Sequence, residues 1–191
     1  MATQDSRIKL KRSTVTATVP TVPSSNDHTD GTWIATDIYK GELFYNQADS
    51  VLWTRGDSGI ECIQGTAKLT IATADVLTLN TTPIQIVAAP SAGYAIEVIS
   101  ASMKMVYVSA TYATNTILEL ITAGATNRQA ETQIKNSAST IRRFADATTL
   151  GSATAIQLID NAALNVTVAS GDPTAGDSEI TIYVTYRIIT L

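Results

Sequence analysis

The stretch KGELFYNQADSVLW, residues 40–53, predicts a tight β-hairpin. Leu43 and Tyr45 precede a short polar turn, and Val51 and Trp53 follow it, each pair at the two-residue spacing of a strand. The polar turn between the two pairs is short enough to connect neighbouring antiparallel strands directly. We therefore expect a pair of short strands here, and the rest of the N-terminal region is interpreted around it.

The N-terminal region has too little apolar material to order itself. The aromatic residues Trp33, Phe44, Tyr45 and Trp53 fall close together here, in a chain with only two Trp and two Phe in total. Ordering a thin segment of this length costs more backbone entropy than four aromatics and a few aliphatics return. We therefore expect this region to become ordered against other copies of the chain or a larger assembly. The predicted oligomer and anchoring contacts are Ile8, Leu10, Trp33, Leu43, Phe44, Tyr45 and Trp53.

The same region carries a recognisable pattern. The basic sequence RIKLKRS at residues 7–13 leads through Val19 and Pro20 to GEL at residues 41–43 and then to Asn46. This pattern resembles a module found near the N-termini of many tailed-phage virion proteins, where a basic strand and a proline-containing link precede a "GEL…N" hairpin. The polar insert at residues 24–31 is a departure from that module.

The resemblance implies a non-enzymatic structural protein of a phage virion. In that family the module usually belongs to trimeric fibres, spikes or head-decoration proteins. The implied partners are the chain itself, as a homotrimer, and the major capsid protein or other virion proteins, with assembly in the host cytoplasm. Lys9, Lys11 and Arg12 form a basic cluster that is either a solvated strand edge or a contact to an acidic surface such as a capsid shell.

Composition predicts an all-β protein. The chain has 191 residues, of which 45% are hydrophobic and only 16% charged, a balance that excludes disorder. We expect an extended and hairpin oligomerisation arm at residues 1–63, connecting strands at 64–82 and a jelly-roll-like β-sandwich at 83–191. The net charge of −4 argues against nucleic-acid binding. The sequence also contains no apolar run long enough to cross a membrane.

The C-terminal part contains the clearest strand signals. From residue 180 to 188, even-numbered apolar residues alternate with Thr, Tyr and Arg. In the long strand predicted at residues 94–108, the alternation slips around residues 100–102, which predicts a bend or bulge there. Residues 171–177 are expected to form a hairpin loop. Strands are predicted at residues 84–87, 94–108, 116–122, 153–159, 163–169 and 178–189, with a shorter one at 32–38 in the N-terminal region.

Residues 125–144 allow two interpretations. Apolar residues recur there at helical spacing, but Asn, Ser and Thr weaken a helix, so either a helix or a long insertion loop with short strands fits. Arg128, Arg142 and Arg143 in this segment form either a ligand-binding patch or a solvated loop. The first possibility supports an alternative function, that of a tail-fibre or receptor-binding protein that recognises a host-surface glycan through loops of the C-terminal sandwich.

No catalytic residue, metal site or cofactor site is predicted. His28 is the only histidine and lies in a polar loop, and the single Cys62 is expected to be a small buried hydrophobe. Asp172, Asp177 and Glu179 do not have the spacing of a calcium-binding loop and fit a turn. No pair of acids stands out as a glycosidase pair, and the glycines are too scattered to cradle a phosphate.

Overall fold

The computed structural model describes residues 10–25, 31–57, 59–125, 128–146 and 158–191. Within these ranges the chain forms a two-layered, all-β sandwich, as predicted from composition. The first sheet contains, in spatial order, β1 (Lys11–Ser13), β2 (Leu43–Asn46), β3 (Val51–Arg55), β4 (Ile60–Ile71), β12 (Glu179–Thr190), β6 (Tyr94–Val106) and β9 (Thr140–Arg143). The second contains β10 (Ala145–Asp146), β8 (Arg128–Gln133), β7 (Ile117–Thr122), β11 (Leu164–Val168) and β5 (Ile84–Val87).

The two sheets enclose one aliphatic core. The alternation predicted for the last strand is confirmed: Ile180, Ile182 and Val184 are buried, whereas Tyr183 between them is exposed. Each such fully buried aliphatic side chain contributes roughly 1.5–3 kcal/mol through removal from water. The inward residues of the neighbouring and facing strands complete the core, notably Met103, Met105, Leu118, Leu120, Val166 and Val168.

Strands β6 and β12 form the long central pair of the first sheet. Thr185 lies opposite Ser100, but the next residue, Tyr186, lies opposite Val98, so Ile99 is an extra residue on β6. This β-bulge lies one residue before the slip predicted from the alternation. Ile99 itself is exposed, which is what the switch of face at a bulge produces.

The predicted hairpin is confirmed as β2 and β3. Phe44 lies opposite Trp53 and Asn46 opposite Val51, and all four side chains are buried. The expectation that the hairpin aromatics need another subunit is wrong for Phe44 and Trp53. The reason is β4, which pairs with β3 along its first half and with β12 along its second, so the hairpin extends the main sheet. The predicted arm boundary at residue 63 falls inside this strand.

Several other local predictions differ from the structure. The strand predicted at residues 32–38 is not formed. This segment contains a turn at residues 35–36 and one isolated bridge, between Asp37 and Thr21. Within the connecting strands predicted at residues 64–82, Thr73–Val76 form a single helical turn, α1, and a turn at residues 77–81 follows it. Residues 171–177 connect strands of different sheets, so they form a crossover and no hairpin.

In its described part, the ambiguous segment contains two short strands, β8 and β9, so the helical interpretation is wrong. Most of the strand predicted at residues 153–159 lies outside the described residues, and the jelly-roll connectivity stays a prediction.

We predict that Gly65→Ala destabilises the fold by about 1–3 kcal/mol through overpacking. Gly65 lies opposite Tyr186 on the inner face, and an added Cβ would meet the Tyr186 ring 2.5 Å from its Cζ atom. The ring cannot easily move, because its hydroxyl donates a hydrogen bond to the Asp49 carbonyl at 3.1 Å. Urea unfolding measures the effect. Gly56→Ala is the control, since its Cβ would meet only the flexible Glu61 side chain at 3.3 Å. Equal effects of both substitutions would contradict this packing.

Candidate functional site

The first two residues of the GEL motif shape the entry to the hairpin. Gly41 has φ +80, in the left-handed region that favours glycine, and its N–H donates to the Arg55 carbonyl at 2.9 Å. The Glu42 carboxylate accepts hydrogen bonds from the Tyr39 N–H and the Lys11 ammonium, both at 2.8 Å. The motif therefore ties the basic strand β1 to the hairpin.

Asn46, the last residue of the motif, is a buried clamp. Its amide nitrogen lies within hydrogen-bond distance of the Val15 and Thr18 carbonyls, at 3.2 and 3.1 Å, and of the Asp49 carboxylate at 2.7 Å. The same carboxylate accepts the Ala17 N–H at 2.6 Å. Asn46 and Asp49 together fasten residues 15–18 onto the hairpin turn, which explains why an amide side chain stands at this position.

We predict that Asn46→Ala destabilises the protein by about 1–3 kcal/mol, because it leaves buried backbone carbonyls without a donor. Residues 15–18 should also lose protection from amide hydrogen exchange, beginning with the Ala17 N–H. Chemical unfolding and exchange mass spectrometry measure the two effects. Gln47→Ala is the matched control, since its side chain is exposed and its N–H still reaches the Ser13 carbonyl. A variant that keeps full protection of residues 15–18 would contradict the clamp.

Four of the predicted contact residues share one exposed face at the β1 end of the first sheet. Strands β1 and β2 are parallel, with Arg12 opposite Tyr45, while Leu10 and Leu43 each come one residue before the first paired positions. The burial of Phe44 directs Leu43 and Tyr45 to the opposite, outer face. Leu10 is 45% exposed and Leu43 37% exposed. We call Leu10, Arg12, Leu43 and Tyr45 the edge patch.

The remaining predicted contact residues are placed elsewhere. Ile8 and Lys9 lie outside the described residues. Phe44 and Trp53 are in the core, and Trp33 is 48% exposed but belongs to a cleft beside the edge patch. The structure therefore separates the predicted interface into buried, outer-face and cleft residues.

We call this cleft, lined by Lys11, Trp33, Tyr39, Lys40 and Glu42, the aromatic cleft; its volume is about 650 Å³. The Lys11 ammonium lies 5.9 Å from the centre of the Trp33 ring and 5.4 Å from that of Tyr39, within the range of cation–π attraction. It also donates to the Glu42 carboxylate and, at 2.8 Å, to the Asp37 carbonyl.

Arg128 is part of a nearly buried ion triad on the second sheet. Glu119 and Glu131 lie directly opposite each other on β7 and β8. Arg128 contacts both carboxylates, with its NH1 nitrogen 3.1 Å from Glu119 Oε1 and its Nε atom against Glu131. Burial raises the pKa of Glu119, an effect that the charge of Arg128 opposes and that of Glu131 reinforces. The side chain of Arg128 thus compensates buried charge.

The other two arginines of the predicted ligand loop lie on a different sheet. Arg142 is half-buried and Arg143 exposed, both on β9 at the outer edge of the first sheet. Because Arg128 belongs to β8, the three side chains are distributed over strands of two sheets and do not lie together in one loop.

The acids near the crossover have structural roles. The Asp172 carboxylate accepts hydrogen bonds from the Thr81 hydroxyl and from backbone N–H groups, and these lower its pKa, the hydroxyl first. Asp177 is bound in the same way by the Ser109 hydroxyl and the Ser109 and Ala110 N–H groups, which lower its pKa. Asp172 thus fastens the crossover to residues 80–81 and Asp177 fastens it to residues 109–110. These contacts agree with the prediction that both acids belong to a turn.

Within the described ranges, no group of three or more His, Cys, Asp or Glu residues could hold a metal ion, and His28 lies outside those ranges. Cys62 is half-buried, and burial raises the pKa of its thiol. Among the described helices none is long and apolar enough to cross a membrane.

Comparison with known proteins gives one structural likeness. No protein-family model and no curated protein matches the sequence. Part of the fold resembles a chain of the cyanophage Pam1 capsid asymmetric unit, with a TM-score of 0.39 and 16% identity. The match covers 65% of this chain and 84% of that chain. A similarity of this size assigns neither a family nor a function.

The sequence analysis singled out Lys11, Trp33 and Arg128 but missed Tyr39 and Lys40 of the cleft and both glutamates of the triad. Tyr39 and Lys40 immediately precede the GEL motif, so their place beside the basic strand could have been found from the motif itself. Glu119 gave a weaker signal, as an acid within the otherwise apolar strand β7, and Glu131 gave none, since β8 is mostly polar. Both become meaningful only once their cross-strand pairing is known.

Proposed function

We propose that this protein is a non-enzymatic structural component of a bacteriophage virion. In this proposal it assembles as a homotrimer and serves as a capsid decoration or head fibre, attached through its N-terminal region. The observation that carries the proposal is the edge patch: Leu10 and Leu43 expose apolar surface side by side, with Arg12 on the same face. These residues belong to the segment that resembles the N-terminal module of phage virion proteins.

The distribution of exposed apolar residues supports a contact role for this region. Large apolar side chains that remain exposed on a folded domain, when they are concentrated in one region, are typical of protein–protein contacts. Within the described ranges, and leaving aside Trp33 of the aromatic cleft, five such residues fall between positions 10 and 43: Leu10, Val15, Val22, Ile34 and Leu43. A second copy of the chain or another virion protein would remove them from water, and Arg12 would lie at the rim of that contact.

The proposal is tested by light scattering on the full-length chain after size-exclusion chromatography. We expect a mass three times the chain mass of 20.2 kDa. A variant with both Leu10→Asp and Leu43→Asp should run as a single chain, because the two new charges would be buried in the contact. Ile141→Asp is the matched control, since Ile141 is 74% exposed on β9 at the opposite edge of the same sheet.

Three results would each overturn a part of the proposal. A wild-type chain that stays monomeric at micromolar concentration would contradict the proposed trimer. Absence of the protein from purified phage particles would contradict the virion role. Turnover of a bacterial surface polysaccharide by the purified chain would contradict the non-enzymatic part.

A further inference from the structure

We propose that the aromatic cleft binds a neutral carbohydrate, in the form of an uncharged pyranose unit stacked on Trp33. The proposal goes beyond the virion role and does not depend on it, since the cleft residues lie outside the edge patch. The volume of the aromatic cleft, about 650 Å³, lies within the usual range for small-ligand sites, roughly 300–1,000 Å³.

Both lysines that line the cleft are paired with carboxylates, which favours an uncharged ligand. The Lys11 ammonium is paired with Glu42 at 2.8 Å, and the Lys40 ammonium with Asp57 at 2.7 Å. An anionic ligand would have to compete with these carboxylates, and a cationic ligand with these ammonium groups. A neutral ligand can instead hydrogen-bond to the ion pairs without separating them.

The polar groups in the cleft favour a sugar over an aliphatic ligand. An alkyl chain or apolar side chain seated on Trp33 would remove the Lys11 and Glu42 ion pair from water without replacing its hydrogen bonds, which is unfavourable. A pyranose ring has a flat C–H face that can stack on the indole and a rim of hydroxyl groups that both donate and accept. That combination matches a half-exposed aromatic ring beside lysines and a carboxylate.

The site is held in place before any ligand arrives. The buried carboxylate of Asp37 accepts the Ile34 N–H at 2.8 Å and the Thr21 hydroxyl at 2.6 Å, and so fixes the backbone next to Trp33. On the other side, Lys11 is fixed by the Asp37 carbonyl and by Glu42. A preformed site loses less conformational entropy on binding, which suits a ligand as weakly held as a single sugar unit.

The test uses the full-length protein, an array of neutral and acidic glycans, and titration of maltohexaose, chitohexaose and the best array hit. Intrinsic fluorescence is a direct readout because the chain has two tryptophans, one half-exposed in the cleft and one in the core. We expect saturable binding of at least one neutral glycan, with a shift in tryptophan emission and protection from acrylamide quenching. Trp33→Ala should weaken the binding by about tenfold or more.

The control is Tyr183→Ala, which removes the exposed ring of the cation–π pair with Lys68 on the outer face of the same sheet. This variant should bind like the wild type. Binding to no neutral glycan, binding confined to acidic glycans, or equal binding by Trp33→Ala would each overturn the proposal. If Trp33→Ala instead changes the mass of the oligomer, the cleft is a subunit contact and the assignment to a sugar is wrong; light scattering detects this outcome separately.

Discussion

Replacement of Arg128 by alanine is expected to destabilise the protein by about 3–5 kcal/mol, the usual cost of breaking a buried ion pair from one side. Arg128 is the cation that contacts both Glu119 and Glu131, whose side chains are almost inaccessible to solvent. Without it, two carboxylates that lie opposite each other on neighbouring strands would repel in a dry environment. Urea unfolding followed by circular dichroism measures the loss.

The control for this prediction is Glu119→Gln. It keeps the pair between Arg128 and Glu131 and removes one of two like charges, so we expect little loss of stability at neutral pH. The pH dependence provides a second test. Because the pKa of Glu119 is raised above its ordinary value of 4.5, the folded protein binds this proton more readily than the unfolded chain. Stability should therefore fall as the pH rises from 4.5 through the folded pKa, and Glu119→Gln should flatten that fall. If Glu119→Gln loses as much stability at neutral pH as Arg128→Ala, the proposed role of the triad is wrong.

The two tryptophans are expected to respond very differently to the same substitution. Trp53→Ala should cost about 3–5 kcal/mol, as for other buried aromatics, and Trp33→Ala should stay within about 0.5 kcal/mol of the wild type. Trp53 is 1% exposed, and its ring lies edge-to-face with Tyr94 at a centroid distance of 6.3 Å. Trp33 is exposed on the aromatic cleft. Circular dichroism is the appropriate probe, since each variant loses one of the two tryptophans that would report by fluorescence.

A small effect of Trp53→Ala would mean that the hairpin is not part of the cooperative core. In that case the original expectation, that this region is ordered only by neighbouring subunits, would become the better description. A large effect of Trp33→Ala would instead show that the cleft contributes to folding, and its role as a binding surface would then have to be judged with the conservative variant Trp33→Phe.

Local strand structure was predictable from the sequence because side chains in a strand alternate with a period of two. The alternation from Ile180 to Ile188 predicted both the existence of β12 and the face that each residue presents. The paired apolar residues on either side of a polar turn predicted the hairpin of β2 and β3, and the slip in the long strand placed the bulge at Ile99 to within one residue. The GEL and Asn46 motif also marked the residues that join β1 to that hairpin.

The tertiary structure alone decided which strands are neighbours and which residues remain exposed. Nothing local in β4 indicates that it pairs with both the hairpin and β12, and this long-range pairing is what buries Trp53 while Trp33, twenty positions earlier, stays at the surface. The same holds for Arg128, which becomes the partner of two buried glutamates only because β7 and β8 pair in one register. The alternation within a strand is a property of the backbone, whereas burial depends on which distant segments cover each face.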